Sequence, residues 1–368
     1  MGNDSRRGAP GRGDPRTPLL TACLIVRDEV GRLDACLSAL APLVDEVVVH
    51  DTGSGDGTLE LLRARDVVLV EGSWHDDFAA ARNVAHGHAR GEWVLVVDAD
   101  EVVSADRERL HRRLLDAAPD QHALAVRVEN TGDGSTGYST WSPRLFRRRH
   151  ASWVGRVHEH VEIAVPQRDV ERVATSVLRL EHSGYAGAAQ LTRKGERNLA
   201  LARTEFEDVT ALPSPPPGAL ALAALNVGRA AIGAGQDQQA VDAFEAVREL
   251  APSGPLWQQA TDFLARVLLA AGLTRPARVL ADQLAASGAP AQYCRWLLAG
   301  ALAQEHRPVE ALALLSGVEE LIDPAGRQYD PAQVTQLREL CRELAAGAAS
   351  AVPRHARHPE STGPRAAG

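Results

Sequence analysis

The stretch "LPSPPPG" (212–218) restricts the chain more than any other. Proline fixes φ, lacks an amide donor and clashes with the preceding turn, so neither a helix nor a strand interior can pass through this run. The two sides of the break differ in texture. Before it, apolar β-branched runs alternate with segments of helical spacing; after it, almost everything is Ala/Leu-rich helix. At 368 residues the chain has enough length for a separate core on each side.

On the N-terminal side, "LLTACLIV" (19–26), "EVVVH" (46–50), "VVLVEGSW" (67–74) and "EWVLVV" (92–97) are short continuous apolar runs and predict buried strands. Between them "RDEVGRLDACLSALAPL" places Leu33, Leu37 and Leu40 on one helical face, and "DGTLELLRAR" predicts a second helix. Strands alternating with helices imply an α/β domain with a mostly parallel sheet covered on both faces. "ALAVRVEN" (123–130) and "HVEIAV" (160–165) read as later, antiparallel strands, and "LTRKGERNLALARTEFED" (191–208) as a long amphipathic helix.

Past the prolines, "LNVGRAAIGAGQDQQAVDAFEAVRELAP" sets Gly228, Ala240, Phe244 and Pro252 at the offsets of a tetratricopeptide (TPR) unit of about 34 residues. The equivalent of Ala240 recurs at Ala277 and Ala311, each about one repeat further on. Small residues there let paired helices approach closely, so a solenoid of degenerate helical hairpins is expected. The organisation predicted is a tail at 1–18, an α/β domain at 19–190, a helix and Pro-rich linker at 191–218, a TPR-like all-α domain at 219–347 and a tail at 348–368. The Pro/Arg/Gly composition of both tails predicts disorder.

A formal net charge of −8 and the lack of a basic stripe argue against nucleic acid as a partner. Cys23, Cys36, Cys294 and Cys341 have no CxxC spacing and read as small apolar residues in a reducing compartment. No apolar run approaches the ~18 residues that cross a bilayer, and the N-terminus has no apolar signal core. The expected location is the cytoplasm. The basic run "RLFRRRH" (144–150) offers a peripheral contact with the inner face of the membrane or with an anionic acceptor, against the simpler reading of a solvated loop.

Two stretches carry chemistry. "HDTGSGDGT" (50–58) follows the second strand, at the end where open α/β sheets bind ligands. Its glycines, Gly53 first, let the backbone turn sharply, and Asp51 leaves the strand placed to accept from an amide or a ribose hydroxyl. The pattern is neither a Walker loop nor a dinucleotide fingerprint. "VVDADE" (96–101) drives an apolar strand into Asp98, Asp100 and Glu101. Alternate side chains at a strand end share a face, so Asp98 and Asp100 converge, and a cation between them would cancel their repulsion. Hard oxygen ligands in that arrangement suit Mg2+ or Mn2+ and a substrate diphosphate.

With "LTACLIVRDEVGRLDACLSAL", "VVVHDTGSGDGT", "FAAARNVAHGHARGEWVLVVDADE" and "WVGRVHEHV" in order, residues 19–190 resemble the family 2 glycosyltransferases, which have the GT-A nucleotide-diphospho-sugar fold. Within that family they are most similar to a branch with "DDFAAARN" and "VHE", some members of which carry a helical-repeat tail. The resemblance implies a nucleotide-diphosphate-sugar donor and a saccharide, lipid-linked or peptide acceptor, with the repeats offering a surface to a protein partner. Arg27 and Asp28 would line the nucleotide pocket, Arg27 standing where Asn is more frequent. Asp51 and Gly53 would hold the base or ribose, and Arg82 and Asn83 would lie near the donor. For Arg82 a structural salt bridge is an equal alternative. Asp98 and Asp100 would carry the metal, with His182 as a further ligand. Glu159 would be the general base in an inverting transfer, in apolar surroundings that raise its pKa, and His158 is the second choice. Trp141 and Trp153 are candidates for stacking on an acceptor ring, or for the core. The competing function is a non-catalytic TPR-type interaction protein with a vestigial nucleotide-sugar domain.

Overall fold

The computed structural model describes residues 17–131, 137–182 and 188–351. Residues 1–16 and 352–368, most of the two expected tails, lie outside the described residues.

The first part of the chain alternates strand and helix as its apolar runs require. β1 (Leu20–Val26), α1 (Val30–Leu40), β2 (Glu46–Asp51), α2 (Thr58–Arg63), β3 (Val68–Glu71), α3 (Phe78–His88) and β4 (Trp93–Val96) follow in order. β3, β2, β1 and β4 lie side by side and parallel. The second part is β5 (Glu101–Ala105), α4 (Arg107–Leu115), β6 (Ala123–Asn130), β7 (Tyr138–Arg147), β8 (Ala151–Val154), β9 (His160–Ile163), β10 (Glu171–Arg172) and β11 (Leu178–His182). The sheet continues from β4 through β7, β6 and β11 to β5. β7 runs antiparallel to both β4 and β6, whereas β6 and β11 are parallel.

β1 and β4 are buried because both faces of the sheet are covered. One side packs on Leu33, Leu37 and Leu40 of α1, the other on Ala79 and Ala85 of α3. Each fully buried Leu or Val contributes roughly 1.5–3 kcal/mol, so these short strands need no alternating pattern to be held. The run 160–165 departs from expectation. It is antiparallel, but β9 forms a separate ribbon with β8 rather than joining the main sheet.

The helices are α5 (Ala188–Thr210), α6 (Ala219–Gly233), α7 (Asp237–Leu250), α8 (Gly254–Ala270), α9 (Thr274–Ala286), α10 (Ala291–Gln304) and α11 (Pro308–Leu315). The strands β12 (Leu321–Ile322) and β13 (Gln328–Tyr329) follow, then α12 (Ala332–Ala351). Three hairpins, α6/α7, α8/α9 and α10/α11, form the repeat array, with Ala240, Ala277 and Ala311 all buried. Gly228 is glycine for a steric reason: a Cβ there would lie 2.4 Å from Cε1 of the buried Phe244. Among the described residues no helix is long and apolar enough to cross a membrane.

Two features were not legible in the sequence. α5, expected as a linker helix, is the first layer of the array, burying Leu199, Leu201 and Ala202 with α6 in one core. The proline break lies within the array rather than between independent units. In addition, β13 pairs with the start of β7, Tyr329 opposite Tyr138 and Gln328 opposite Ser139, so the helical region donates a strand to the α/β sheet.

The α5/α6 contact depends on Gly195, where a Cβ would lie 2.1 Å from the Gly233 carbonyl oxygen. Gly300, inside α10, has open space around it. Gly195→Ala should lower stability by roughly 1–3 kcal/mol through overpacking against backbone. Gly300→Ala should raise it by about 0.5–1 kcal/mol. Thermal unfolding of both variants checks the opposite signs.

Candidate functional site

The site lies at the carboxyl ends of β1, β2 and β4, where the loops leaving them are tied together. Asp28, in the left-handed region at φ 56°, accepts the Gly55 amide at 2.7 Å, and its own amide donates to the Ser54 hydroxyl oxygen at 2.9 Å. The Glu29 amide donates to Thr58 Oγ1 and the Val30 amide to Asp56. Gly53 and Gly57 both take φ near +100°, which only glycine adopts cheaply. Asp51 is 1 % exposed; its Oδ1 accepts the Gly53 and Ser54 amides at 2.9 Å. Its Oδ2 is buried with no partner. An unpaired buried acceptor is rare in a folded protein. Arg27 is exposed beside Asp28.

Beyond β4 the acids meet arginines. Asp98 Oδ1 accepts from Arg82 at 2.8 Å and Oδ2 from Arg144 at 3.1 Å. Glu101 accepts the Asp98 amide at 2.9 Å and Arg144 at 2.8 Å. Burial alone would raise the Asp98 carboxyl, but Arg82 and Arg144 hold it far below the usual range. Glu101 goes the other way, pushed up to about 7 by burial and by Asp98 against the pull of Arg144. Asp100 takes different partners, its Oδ1 3.3 Å from His182 Nδ1 and its Oδ2 3.8 Å from Arg32. The hydrogen bond to Asp100 raises the His182 pKa against its burial. β11 places His182 there by pairing antiparallel with β5, opposite Glu101.

The loop joining β8 to β9 carries Glu159 and is shaped by left-handed backbone at Gly155 (φ 95°) and His158 (φ 54°). It is held from outside the α/β domain. Glu205 of α5 accepts the Arg156 amide at 3.0 Å and the Val157 amide at 3.4 Å, and Asp208 pairs with the Arg156 side chain. Glu159 Oε1 accepts from Arg82 Nε at 2.6 Å. Arg82 therefore links Asp98 to Glu159, with its guanidinium 4.9 Å over the Trp153 ring and its Nη1 buried without a partner.

Several expectations are corrected by this geometry. The cation answering Asp98 is a pair of guanidinium groups, and both Asp98 oxygens are engaged by them. Arg82 takes the salt-bridge alternative. Asn83 does not reach toward a donor: its amide donates to the Trp153 carbonyl and accepts the Trp153 amide, both at 2.9 Å, clamping β8 onto α3. Glu159 meets Arg82 rather than apolar surroundings. Trp153 is a core residue against Phe146, and Trp141 lies under Arg172. The run 144–150 is largely engaged, Arg144 by acids, Arg147 over Trp93 and Arg148 with the Gly91 carbonyl. Sequence reasoning missed Arg144, Glu205 and Asp208. The signal for Arg144 lay in a basic run beside an apolar strand, where an inward-facing position needs an acid partner.

His158 Nε2 is buried and unpartnered, and burial with the charges of Arg229 and Arg327 pulls its pKa down to about 3. An unfolded histidine near 6.5 takes up a proton that the folded one refuses, so this residue's contribution to stability falls as pH drops below about 6.5. Asn tolerates the left-handed backbone. Relative to wild type, His158→Asn should gain up to about 1.4 kcal/mol per pH unit between pH 6 and 4, read from denaturant midpoints. Glu205→Ala should destabilise the protein by about 1–3 kcal/mol and speed hydrogen exchange at Arg156 and Val157 more than elsewhere.

Comparison with known proteins places these features. The sequence pattern of Glycosyl transferase family 2 matches residues 21–167. A TPR repeat-containing protein of Synechococcus elongatus is 38% identical over 184 residues, which is 48% of this chain and 44% of that protein. The SPbeta prophage-derived glycosyltransferase SunS of Bacillus subtilis is 32% identical over 94 residues, 25% of this chain and 22% of its own length. The chain thus spans less than half the length of these two relatives. Among solved structures, the mannosyltransferase PcManGT of Pyrobaculum calidifontis, in complex with GDP-Man and Mn2+, aligns at 20% identity and a TM-score of 0.38, over 79% of this chain and 87% of that one. The chain carries a family 2 glycosyltransferase domain with a mostly parallel GT-A-like sheet, followed by TPR-like helical repeats.

Proposed function

We propose that the protein transfers a sugar, with inversion, from a nucleotide-diphosphate sugar to an acceptor hydroxyl or thiol, with Glu159 as general base. The observation that carries this reading is the unpartnered, buried Oδ2 of Asp51 beside the glycine-rich turn, a ready acceptor for a nucleotide's amide or hydroxyl. From there the site continues through the acids beyond β4 to Glu159.

Among the described residues no group of three or more His, Cys, Asp or Glu gathers as a metal site. Asp100 and His182, one carboxylate and one imidazole 3.3 Å apart, would hold a divalent ion only together with oxygens of the donor's diphosphate and water. Mn2+ or Mg2+ bound there would neutralise the charge that develops on the leaving diphosphate. Asp98 supports that side indirectly, since its own oxygens hold Arg82 and Arg144.

The proton follows a short path. Arg82 fixes Glu159 through Oε1, leaving Oε2 to take the acceptor's proton. The freed oxygen or sulfur attacks the anomeric carbon, and the bond from that carbon to the diphosphate oxygen breaks, its electron pair leaving with the nucleoside diphosphate. Because Arg82 also binds Asp98, the base and the diphosphate side of the site are held in one geometry.

Screening UDP-, GDP- and dTDP-sugars for Mn2+-dependent binding and hydrolysis identifies the donor. Asp100→Asn should weaken metal-dependent nucleotide binding by about 10–100-fold, measured by calorimetry. Glu159→Gln should bind donor as wild type does and lose turnover by about 100–10,000-fold. Unchanged turnover in Glu159→Gln would remove that residue from the mechanism. Absence of nucleotide-sugar binding by the wild type would favour an interaction protein.

A further inference from the structure

At the edge of the sheet away from Asp51, the amino-terminal ends of β1 and β4 and the carboxyl end of β7 border a cavity of about 600 Å³. That size lies within the roughly 300–1,000 Å³ of small-ligand sites. Its wall carries Arg147, Arg148 and Arg149 in succession, with Glu92 as the acid among its lining residues. Arg147 is fully used. It lies 4.7 Å over the Trp93 ring, pairs with Glu92 and donates from Nε to the Gln121 carbonyl at 3.0 Å. Arg148 is held but not satisfied. Its amide donates to the Glu92 carbonyl and its Nε to the Gly91 carbonyl, both at 3.0 Å, while its two Nη nitrogens have no partner among the described residues. Arg149 is exposed, and its guanidinium has no hydrogen bond or ion pair among the described residues.

Glu92 is therefore spent on Arg147, and two positive charges are left in one concave wall of a chain whose formal net charge is −8. A cleft of one sign focuses its field and raises the local concentration of counter-ions. Arg148 is also preorganised, because the Gly91 carbonyl fixes its Nε and leaves less rotamer freedom to lose on binding. A guanidinium with free Nη donors beside a second one matches the oxygens of a phosphate group. At ~3.3 Å per residue, the seven residues of β1 put this cavity about 20 Å from the end of the sheet where Asp51 lies. A phosphate seated here is separate from any diphosphate beside Asp51.

We propose that Arg148 and Arg149 form a binding site for a phosphate group in this cavity, at the end of the sheet remote from the candidate site of sugar transfer. The phosphate is borne by a soluble molecule or by a lipid headgroup, and the chemistry that recognises it is the same for both. Leu115, 69 % exposed among the lining residues, offers an apolar contact to whatever the phosphate is attached to. The site does not depend on Glu159 or on sugar transfer. It gives the basic run 144–150 two uses, since Arg144 answers the acids beyond β4 while Arg148 and Arg149 serve the other end of the sheet.

Inorganic pyrophosphate and vesicles of phosphatidylcholine, with or without phosphatidic acid, serve as probes on the full-length protein. EDTA is present, so that metal-dependent nucleotide binding does not contribute. Wild type is compared with Arg149→Gln, Arg148→Lys and Arg112→Gln, the last removing one charge from an exposed position of α4 outside the cavity. Calorimetry should show saturable pyrophosphate binding by the wild type, weakened by at least 10-fold in Arg149→Gln and also in Arg148→Lys, because lysine lacks the planar fork. Arg112→Gln should bind as the wild type does. Arg149 has no side-chain contact to lose, so its variant keeps the wild-type melting temperature and a loss of affinity reports the site. Sedimentation with the phosphatidic acid vesicles that is lost in Arg149→Gln assigns the phosphate to a lipid headgroup; pyrophosphate binding without sedimentation assigns it to a soluble molecule. Failure of the wild type to bind either probe would overturn the site, as would undiminished binding by Arg149→Gln and Arg148→Lys. An equal loss in Arg112→Gln would reduce the effect to net charge and overturn it too.

Discussion

The structure turns on one buried guanidinium. Arg82 is 9 % exposed and bonds Asp98 on one side and Glu159 on the other. A buried arginine with one carboxylate would leave the second acid uncompensated, and removing either partner strands a charge in low dielectric. The apolar strand β4 can therefore end in acids because α3 and β7 deliver Arg82 and Arg144 to them. The helix start at Asp77, which caps the Ala80 amide at 2.8 Å, and the Asn83 clamp on Trp153 fix where Arg82 emerges. Packing, capping and charge compensation meet at this point, and the candidate site inherits its geometry from them.

Much of the fold was readable because it rests on local signals. Buried parallel strands are continuous apolar runs, and β1, β2 and β4 fall where such runs lie. The repeat positions were readable because Gly228 and Ala240 are steric necessities at close helix contacts. Of the candidate site, the residue types were readable but not their pairings. Asp51, Asp98, Asp100 and Glu159 stood out as residue types at strand ends. Nothing local says that Asp98 takes Arg144 from a basic run 46 residues on, or that Asn83 serves a backbone rather than a ligand. Those are long-range choices, decided by which inward-facing positions the sheet order brings together.

The role of α5 is the clearest case. Its amphipathic pattern predicted a helix and could not say which surface it would cover. In the structure its buried face joins α6, while Glu205 and Asp208 on another face grip the loop bearing Glu159. The amides of Arg156 and Val157 find their acceptor only in a helix that belongs to the repeat array. The helical region is part of the scaffold of the candidate site and cannot be regarded as an appendage to it.

The strand β13 extends that dependence to the order in which the protein is made. The opening residues of β7, Tyr138 and Ser139, find one of their sheet partners in Tyr329 and Gln328, near the far end of the chain. On a ribosome, the nascent α/β domain would wait with part of a sheet edge unpaired through the synthesis of every repeat, an opening that invites pairing with other chains. The hairpin of β12 and β13 is made only after all three helical hairpins, so a segment synthesised later closes the edge of a domain begun far earlier.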